Sequence, residues 1–189
     1  MKNRSFLTFI LALFAAVCAF AQDVNLDSIY SQSFVKVKVK AVRDGDSYNV
    51  EFANGKKEWV RLVGVDAPEK FWPGHCLKAQ PFSKESGDSI RLLIKGKTVW
   101  LDTTATKKSR DHYGRLLAEV YYGDIFLPLY IVEKGWAWAA QTSDRKNPKI
   151  NRLLKDAQAE AREAEVGLFN KKYKRPLRPD TWRDKYKGA

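Results

Sequence analysis

The sequence predicts an α+β domain that is mainly β, in which five short strands close into a barrel and about three helices accompany them. Apolar and polar residues alternate over several short stretches, and two Asx-Gly turns separate the first of them. Later segments repeat apolar residues at helical spacing. A length of 189 residues suits one domain, and 44% hydrophobic with 30% charged residues is typical of a globular protein.

Three strands are predicted at the start of this domain. From residue 34 to 40, valines alternate with lysines, which indicates a half-buried strand with a basic outer face. A second alternating stretch covers 47–52, and a third strand covers 58–65. Asp44-Gly45 and Asn54-Gly55 are dipeptides typical of tight turns, so the three strands are predicted to form an antiparallel meander.

The middle of the chain is predicted to contain a helix and two further strands. Residues 66–77 are rich in Pro and Gly and predict a loop, whereas 78–94 predicts a helix. Strands are predicted over 98–103 and 115–122, with a polar loop between them. The inward-facing positions of the helix are expected to be Phe82, Ile90, Leu93 and Ile94.

Two helices complete the predicted domain, which we place at 34–170. A short helix over 125–134 stops at a glycine, and Asn147-Pro148 has the residue types favoured at the start of a helix that Gly167 ends. The inward positions of this last helix are predicted to be Ile150, Leu153, Leu154, Ala157 and Ala161. This order of strands and helices favours the five-stranded oligonucleotide/oligosaccharide-binding barrel, the OB-fold.

The N-terminus has the three-part layout of a secretory signal peptide over 1–21. Two basic residues precede an almost wholly apolar run, which ends in the small-x-small cleavage site Ala19-Phe20-Ala21. A membrane anchor is the alternative, but the run is shorter than the ~20 residues that a span needs. A lipid anchor on Cys18 is a weaker alternative, because a bulky valine precedes it. We expect a flexible lead-in over 22–33 and an exported protein, periplasmic or secreted.

The net charge indicates which partners the protein binds, and the cysteine content indicates which kinds of cross-link can stabilise its fold. Lys and Arg number 34 against 22 Asp and Glu, and the net charge of +12 favours polyanionic partners such as nucleic acid. The segment 171–189 is strongly basic and is predicted to be a solvated tail. Signal cleavage leaves Cys76 as the single cysteine, so neither a disulfide scaffold nor a structural zinc site is expected.

The segment from Arg61 to Glu69 is the most informative for function. Arg61 lies within an otherwise apolar strand, where an arginine needs a carboxylate or an anionic ligand. Asp66 and Glu69 follow where the strand ends, and Pro68 keeps this exit extended. Two carboxylates and one guanidinium therefore converge on one strand end. On their own, these residues are equally well explained by an ion pair that closes a turn.

Two more charged segments lie at strand ends. Asp44-Gly45-Asp46-Ser47 marks the first turn, and residues 111–115 place a second arginine at the start of a later strand. Together with Arg61 to Glu69, these segments contain the groups needed to hydrolyse a phosphodiester. Carboxylates can hold a hard cation such as Ca²⁺, arginines can flank a phosphate, and a carboxylate can take a proton from water.

In this order and at this spacing, the three segments resemble the staphylococcal nuclease family. The resemblance extends over roughly 34–169 and includes Gly135-Trp136-Ala137 in the C-terminal half. It implies an OB-fold barrel and a Ca²⁺-dependent, sugar-non-specific nuclease that acts on DNA and RNA and leaves 3′-phosphate ends. Such non-specificity has a physical reason, because contacts to metal and phosphate carry no base information.

The resemblance also assigns roles to single residues. It implies that Asp46 and Asp66 are carboxylate ligands of Ca²⁺, and that Ala67 offers its backbone carbonyl to the same ion. It implies that Glu69 is the general base.

The remaining implied roles concern the phosphate. Arg61 and Arg115 bind it and stabilise the transition state, and Tyr113 matches a tyrosine that contacts a terminal phosphate of the bound nucleotide. His112 stands where the best-known member has a lysine, which weakens one phosphate contact. Ser47 replaces a more usual threonine and keeps the hydroxyl.

The expected partners are DNA and RNA, with single strands preferred, because a barrel groove accepts splayed nucleotides more easily than a duplex. We expect a monomer without stable membrane association after signal cleavage. The alternative function is a non-catalytic OB-fold module that binds nucleic acid, and the complete set of charged site residues disfavours it. Trp136 is predicted to pack in the core, whereas Trp138 or Gln141 is a candidate for the edge of the groove.

Overall fold

The computed structural model describes residues 34–141, 146–174 and 176–187. The predicted signal peptide, its cleavage site and the lead-in lie outside these residues. Among the helices of the described part, none has both the length and the apolar character needed to cross a membrane.

Five strands form a closed barrel, which confirms the predicted fold class. The strands are β1 (Phe34–Val42), β2 (Ser47–Phe52), β3 (Lys57–Leu62), β5 (Thr98–Asp102) and β6 (Leu116–Tyr122). Antiparallel pairs join them in the order β3, β2, β1, β5, β6, and a parallel pairing of β3 with β6 closes the ring. Three two-residue strands lie outside the ring: β4 (Val65–Asp66), β7 (Ile125–Phe126) and β8 (Trp138–Ala139).

The described residues contain four α-helices, one more than the sequence predicts. They are α1 (Ser83–Ile94), α2 (Leu127–Glu133), α3 (Pro148–Glu163) and α4 (Pro179–Lys185). The predicted start of α3 is confirmed, because the Asn147 side chain accepts a hydrogen bond of 3.0 Å from the backbone N–H of Lys149 and caps the helix.

Several predicted boundaries differ from the structure. The helix predicted over 125–134 is strand β7 followed by α2, and α3 ends at Glu163 rather than at Gly167. Two further differences have clear local reasons. The first helix begins at Ser83 rather than 78, because Pro81 cannot continue a helix from its preceding residue and Phe82 has a positive φ of 69°. The third strand ends at Leu62 rather than 65, because Gly64, with φ 81°, turns the chain into the separate strand β4.

The core fills the barrel and the space beneath α1, α2 and α3. Valines of β1 and β2 are buried on the inner face, as their alternation predicts. On α3, Leu154 and the two alanines are buried and Ile150 packs against the core, whereas Leu153 is exposed and its predicted inward position is wrong. Trp136 packs against the core as predicted, but Trp138 is only 1% exposed and therefore does not border a groove.

The C-terminal segment is folded onto the domain, so the prediction of a solvated tail is wrong. The helix α4 buries Trp182, whose indole N–H donates to the Lys78 carbonyl at 2.7 Å. The backbone N–H of Leu77 donates to the Tyr186 carbonyl at 2.8 Å. Trp182 and Tyr186 lie four residues apart on one helical face, and their apolar contact outweighs the repulsion of the surrounding basic residues.

Candidate active site

All eight predicted site residues line one cleft of about 1530 Å³ at the side of the barrel. The turn between β1 and β2, strand β3, the chain from Val63 to His75 and the loop before β6 form its walls. The predicted residues on it are Asp46, Arg61, Asp66, Ala67, Glu69, His112, Tyr113 and Arg115.

Arg61 lies at the centre of the charged network. Its Nη1 is 3.3 Å from Oδ2 of Asp46, and its Nη2 is 2.7 Å from Oδ1 of Asp66. Nη1 also donates to the Leu62 carbonyl at 2.7 Å, which fixes the plane of the guanidinium. Burial by itself lowers the pKa of Arg61, but the neighbouring carboxylates raise it above its usual value. Arg61 is therefore a permanently charged bridge between two aspartates.

The first turn places a third carboxylate, that of Asp44, beside this network. Asp46 accepts a 2.7 Å hydrogen bond from the Ala67 N–H, and Oδ1 of Asp44 accepts from the Asp46 N–H at 3.1 Å. Burial and the charge of Asp46 raise the pKa of Asp44 to about 7. Only glycine fits at position 45, since a Cβ there would lie 2.4 Å from the Ser86 hydroxyl.

The chemistry of these donors fits a hard divalent cation. Asp44, Asp46 and Asp66 offer carboxylate oxygens, which Ca²⁺ prefers, and burial together with the charge of Asp46 raises the pKa of Asp44. Within residues 34–141, 146–174 and 176–187, three or more acidic, His or Cys side chains do not converge as a ready-made metal cage. Arg61 lies between Asp46 and Asp66 instead, so a cation would need water or carbonyl oxygens to complete its shell.

Arg115 is tied to the same network through Ser47. Its Nε donates to Oδ2 of Asp111 at 2.7 Å, and its Nη1 donates to the Ser47 hydroxyl at 2.8 Å. That hydroxyl in turn donates to Oδ1 of Asp46 at 3.1 Å. Although burial raises the pKa of Asp111, its hydrogen bonds with Arg115 lower it overall, so this carboxylate stays charged. Both predicted phosphate-binding arginines are thus held by aspartates and aimed at one cleft.

Glu69 lies on the loop after β4 and is held from two sides. Its backbone N–H donates to the Gln80 side chain at 2.9 Å, and its carboxylate pairs with Arg183 of α4. Burial raises the pKa of Glu69, which outweighs the opposing effect of the arginine. A carboxylate with a raised pKa is a stronger base than an ordinary glutamate.

The sequence analysis missed two arginines of the C-terminal segment. Arg183 pairs with Glu69, and Arg178 donates to the Ala139 carbonyl at 2.8 Å and lies 3.4 Å from Oδ2 of Asp66. The signal that predicts their position is the Trp182 and Tyr186 spacing, which indicates that this segment packs on the domain.

Tyr113 and His112 lie at the rim of the cleft and not in the charged network. Tyr113 is 59% exposed, with its ring 3.7 Å from that of His112 and 5.8 Å from that of His75. The Arg115 guanidinium lies 5.4 Å from the Tyr113 ring. Their assignment to nucleotide binding stays a prediction.

Comparison with known proteins finds matches to one family of nucleases. Residues 59–171 match the family described as "Staphylococcal nuclease homologue". The protein named "Thermonuclease" from Staphylococcus intermedius is 30% identical over 176 residues, which cover 90% of this chain and 100% of that protein. An "Uncharacterized endonuclease" from Escherichia coli is 33% identical over 147 residues, covering 77% and 83% of the two chains. A "Thermonuclease" from Staphylococcus hyicus is 31% identical over 133 residues, covering 70% and 75%.

The matched segment holds Arg61, Asp66, Glu69 and Arg115, and with them the greater part of the charged network. The chain therefore belongs to the staphylococcal nuclease family and is a nuclease of that type.

Proposed function

We propose that this nuclease is Ca²⁺-dependent and sugar-non-specific, and that it cleaves DNA and RNA to leave 3′-phosphate ends. The observation that carries the proposal is the continuous network from Arg115 through Ser47, Asp46 and Arg61 to Asp66. It holds two guanidiniums in one cleft, beside a carboxylate whose pKa is raised.

The side chains of this network divide the chemistry between them. Arg61 and Arg115 are planar donors that suit a phosphate and stabilise the extra negative charge of the transition state. Glu69 takes a proton from the attacking water, for which its raised pKa is favourable. No group in this set reads a base edge, which accounts for action on both DNA and RNA.

The cation has a defined place in this proposal. Asp46 and Asp66 would hold it with the Ala67 carbonyl, and its charge would add to that of the arginines beside the phosphate. Burial and the charge of Asp46 raise the pKa of the neighbouring Asp44 carboxyl to about 7 in the cation-free protein, so a bound cation would favour its ionised form near neutral pH.

The location, the oligomeric state and the preferred substrate form of the enzyme are proposed from the sequence. We propose export through the signal peptide, to the periplasm or the medium, and action as a monomer without stable membrane association. We also propose a preference for single strands, whose nucleotides can be splayed along a cleft.

The test uses residues 22–189 with single-stranded DNA, in Ca²⁺ or in excess chelator, and reads cleavage together with the chemistry of the ends. Calcium-dependent cleavage that leaves 3′-phosphates is the expected result. Salt-sensitive binding without cleavage would instead identify the alternative, a module that binds nucleic acid but does not hydrolyse it.

The Asp46→Ala variant should bind Ca²⁺ much more weakly than the parent. The substitution removes a carboxylate that faces both Arg61 and the Ala67 N–H, and leaves one charged and one neutral donor without their acceptor. A calcium titration monitored by calorimetry measures the effect, with the exposed residue change Asp156→Ala as the control. Superimposable titrations for Asp46→Ala and the parent would exclude Asp46 as a ligand.

In the absence of Ca²⁺, Asp44→Asn should stabilise the protein at high pH. The folded-state pKa of Asp44 rises from 3.8 to about 7, so its contribution to stability is complete at low pH and is lost as the pH rises through about 7. Asparagine has no carboxyl to ionise, and we expect a gain of about 1–3 kcal/mol at pH 8.

Urea unfolding from pH 4 to pH 8 in chelator measures this gain. It should grow with pH and then level off, whereas the exposed control Asp124→Asn should show no such trend. A gain independent of pH would mean that the Asp44 carboxyl is not the cause.

A further inference from the structure

The loop after β4 contains a small hairpin that the charged network does not use. The backbones of Trp72 and Cys76 exchange two hydrogen bonds, of 2.8 and 2.9 Å. Gly74 supplies the positive φ of 75° that the turn requires. Cys76 is fully buried and its thiol donates to the Lys78 carbonyl at 3.2 Å, which anchors the hairpin to the domain. The hairpin is therefore a built element with a fixed base.

The indole of Trp72 is held in place by a cation stack at the edge of the cleft. The Arg43 guanidinium lies 4.7 Å from the Trp72 ring and 4.3 Å from the Trp59 ring. The ammonium of Lys70 donates to the Arg43 carbonyl at 2.6 Å, which ties the hairpin loop to the end of β1. A side chain held in this way has already lost most of its rotational freedom before any ligand binds.

Despite this support, the aromatic surface of the hairpin is open to solvent. Phe71 is 57% exposed and Trp72 is 48% exposed, and both line the same cleft as the charged network. Neighbouring exposed aromatic side chains that are held by polar partners mark a binding surface. Tyr113 forms a third exposed ring on that cleft, and it contacts the His75 ring at the tip of the hairpin.

We propose that Phe71 and Trp72 form a stacking platform for the bases of a single-stranded nucleic acid, beside the phosphate that is cleaved. This inference rests on the proposed function and adds a subsite to it. Base–aromatic stacking is worth about 1–3 kcal/mol per base and does not depend on sequence, because every base has a π-face. The platform thus increases affinity for longer single strands while leaving the enzyme non-specific.

The charge and the volume of the cleft favour nucleic acid over an apolar partner. The cleft wall beside the platform carries Arg43, Lys57, Lys108 and Arg110, which suit a phosphate backbone. At about 1530 Å³, the cleft exceeds the ~300–1,000 Å³ typical of a site for one small ligand. Its volume is therefore sufficient for more than one nucleotide.

The experiment compares a dinucleotide with a single-stranded 12-mer in the parent and in Trp72→Ala, Trp72→Phe and Phe71→Ala. Trp100→Ala is the matched control. Trp100 lies on β5 and is 37% exposed, and its ring contacts Lys36 of β1, away from the cleft. KM and kcat are measured in Ca²⁺, and 12-mer affinity is measured separately by fluorescence anisotropy in chelator.

For Trp72→Ala we expect the KM for the 12-mer, and its Kd in chelator, to rise by about 5- to 150-fold, the equivalent of one stacked base. The change for the dinucleotide should be clearly smaller. Trp72→Phe should restore most of the affinity, Phe71→Ala should weaken it in the same direction, and Trp100→Ala should match the parent.

Equal losses on both substrates would overturn the proposal, since they would mean that the indole only supports the loop. An unchanged affinity for the 12-mer would overturn it as well. A parent enzyme that binds the 12-mer but cleaves neither substrate would contradict the proposed function, and the anisotropy data would still decide whether the platform exists.

Discussion

Replacing Glu69 with glutamine is expected to lower kcat for single-stranded DNA by about 10²–10⁴-fold, the range that a positioned general base contributes. Glutamine has nearly the same shape and can still accept a hydrogen bond from Arg183 through its carbonyl oxygen. The Glu69 N–H that donates to the Gln80 side chain belongs to the backbone, so this bond is retained in the variant. The loss should therefore fall on proton transfer and not on the position of the loop.

Three measurements separate this interpretation from a structural one. Oligonucleotide affinity in chelator should change little, and the thermal midpoint should stay close to that of the parent. The acid limb of the pH profile should lie above the usual range of a glutamate in the parent, because burial raises the pKa of Glu69, and should disappear in the variant. Glu163→Gln, an exposed change on α3, is the control. Unchanged turnover in Glu69→Gln would remove this residue from the mechanism.

Much of the barrel can be predicted because its signals are local. The second strand coincides with the predicted 47–52, since alternation and the two flanking Asx-Gly turns fix its ends. Arg61 and Arg115 lie in one cleft because β3 pairs in parallel with β6, a strand that is distant from it in the sequence. No periodicity predicts that pairing, and only the resemblance to a known family placed the two arginines in one site before the structure did.

The C-terminal arginines show where sequence analysis fails. Arg178 and Arg183 contact carboxylates that lie 112 and 114 positions earlier in the chain. A basic segment with few apolar residues has the composition of a solvated tail, and the half-buried positions of these two arginines are explained only by the carboxylates that the fold brings to them. The buried Trp182 supplies the apolar contact that holds both arginines in place.

Arg178 and Arg183 also provide positive charge next to the carboxylates of the site. Asp66 faces both Arg61 and Arg178, and Glu69 faces Arg183, so in the cation-free protein each carboxylate is balanced by a guanidinium. The exception is Asp44, whose pKa is raised by burial and by the charge of Asp46. A cation that enters the site near neutral pH therefore meets one carboxyl that is only partly ionised, and two carboxylates that it must share with arginines.

A second large effect is expected from the conservative change Arg115→Lys. Arg115 reaches Asp111 through Nε and the Ser47 hydroxyl through Nη1 at the same time, which a guanidinium can do because its donors form a rigid plane. Lysine has one nitrogen on a flexible stem. It keeps the charge but can satisfy only one of these partners while it also faces a phosphate.

We expect kcat/KM for single-stranded DNA to fall by about 10²–10³-fold, the usual cost of losing one fixed donor to a transition-state charge. The loss should appear mainly in kcat, because a lysine still attracts the polyanion in the ground state. Arg91→Lys is the matched control, since Arg91 pairs with Asp88 on α1, outside the cleft, and should keep parent turnover. Turnover close to that of the parent in Arg115→Lys would show that positive charge alone is sufficient at this position, and that the planar geometry of the guanidinium has no part in the reaction.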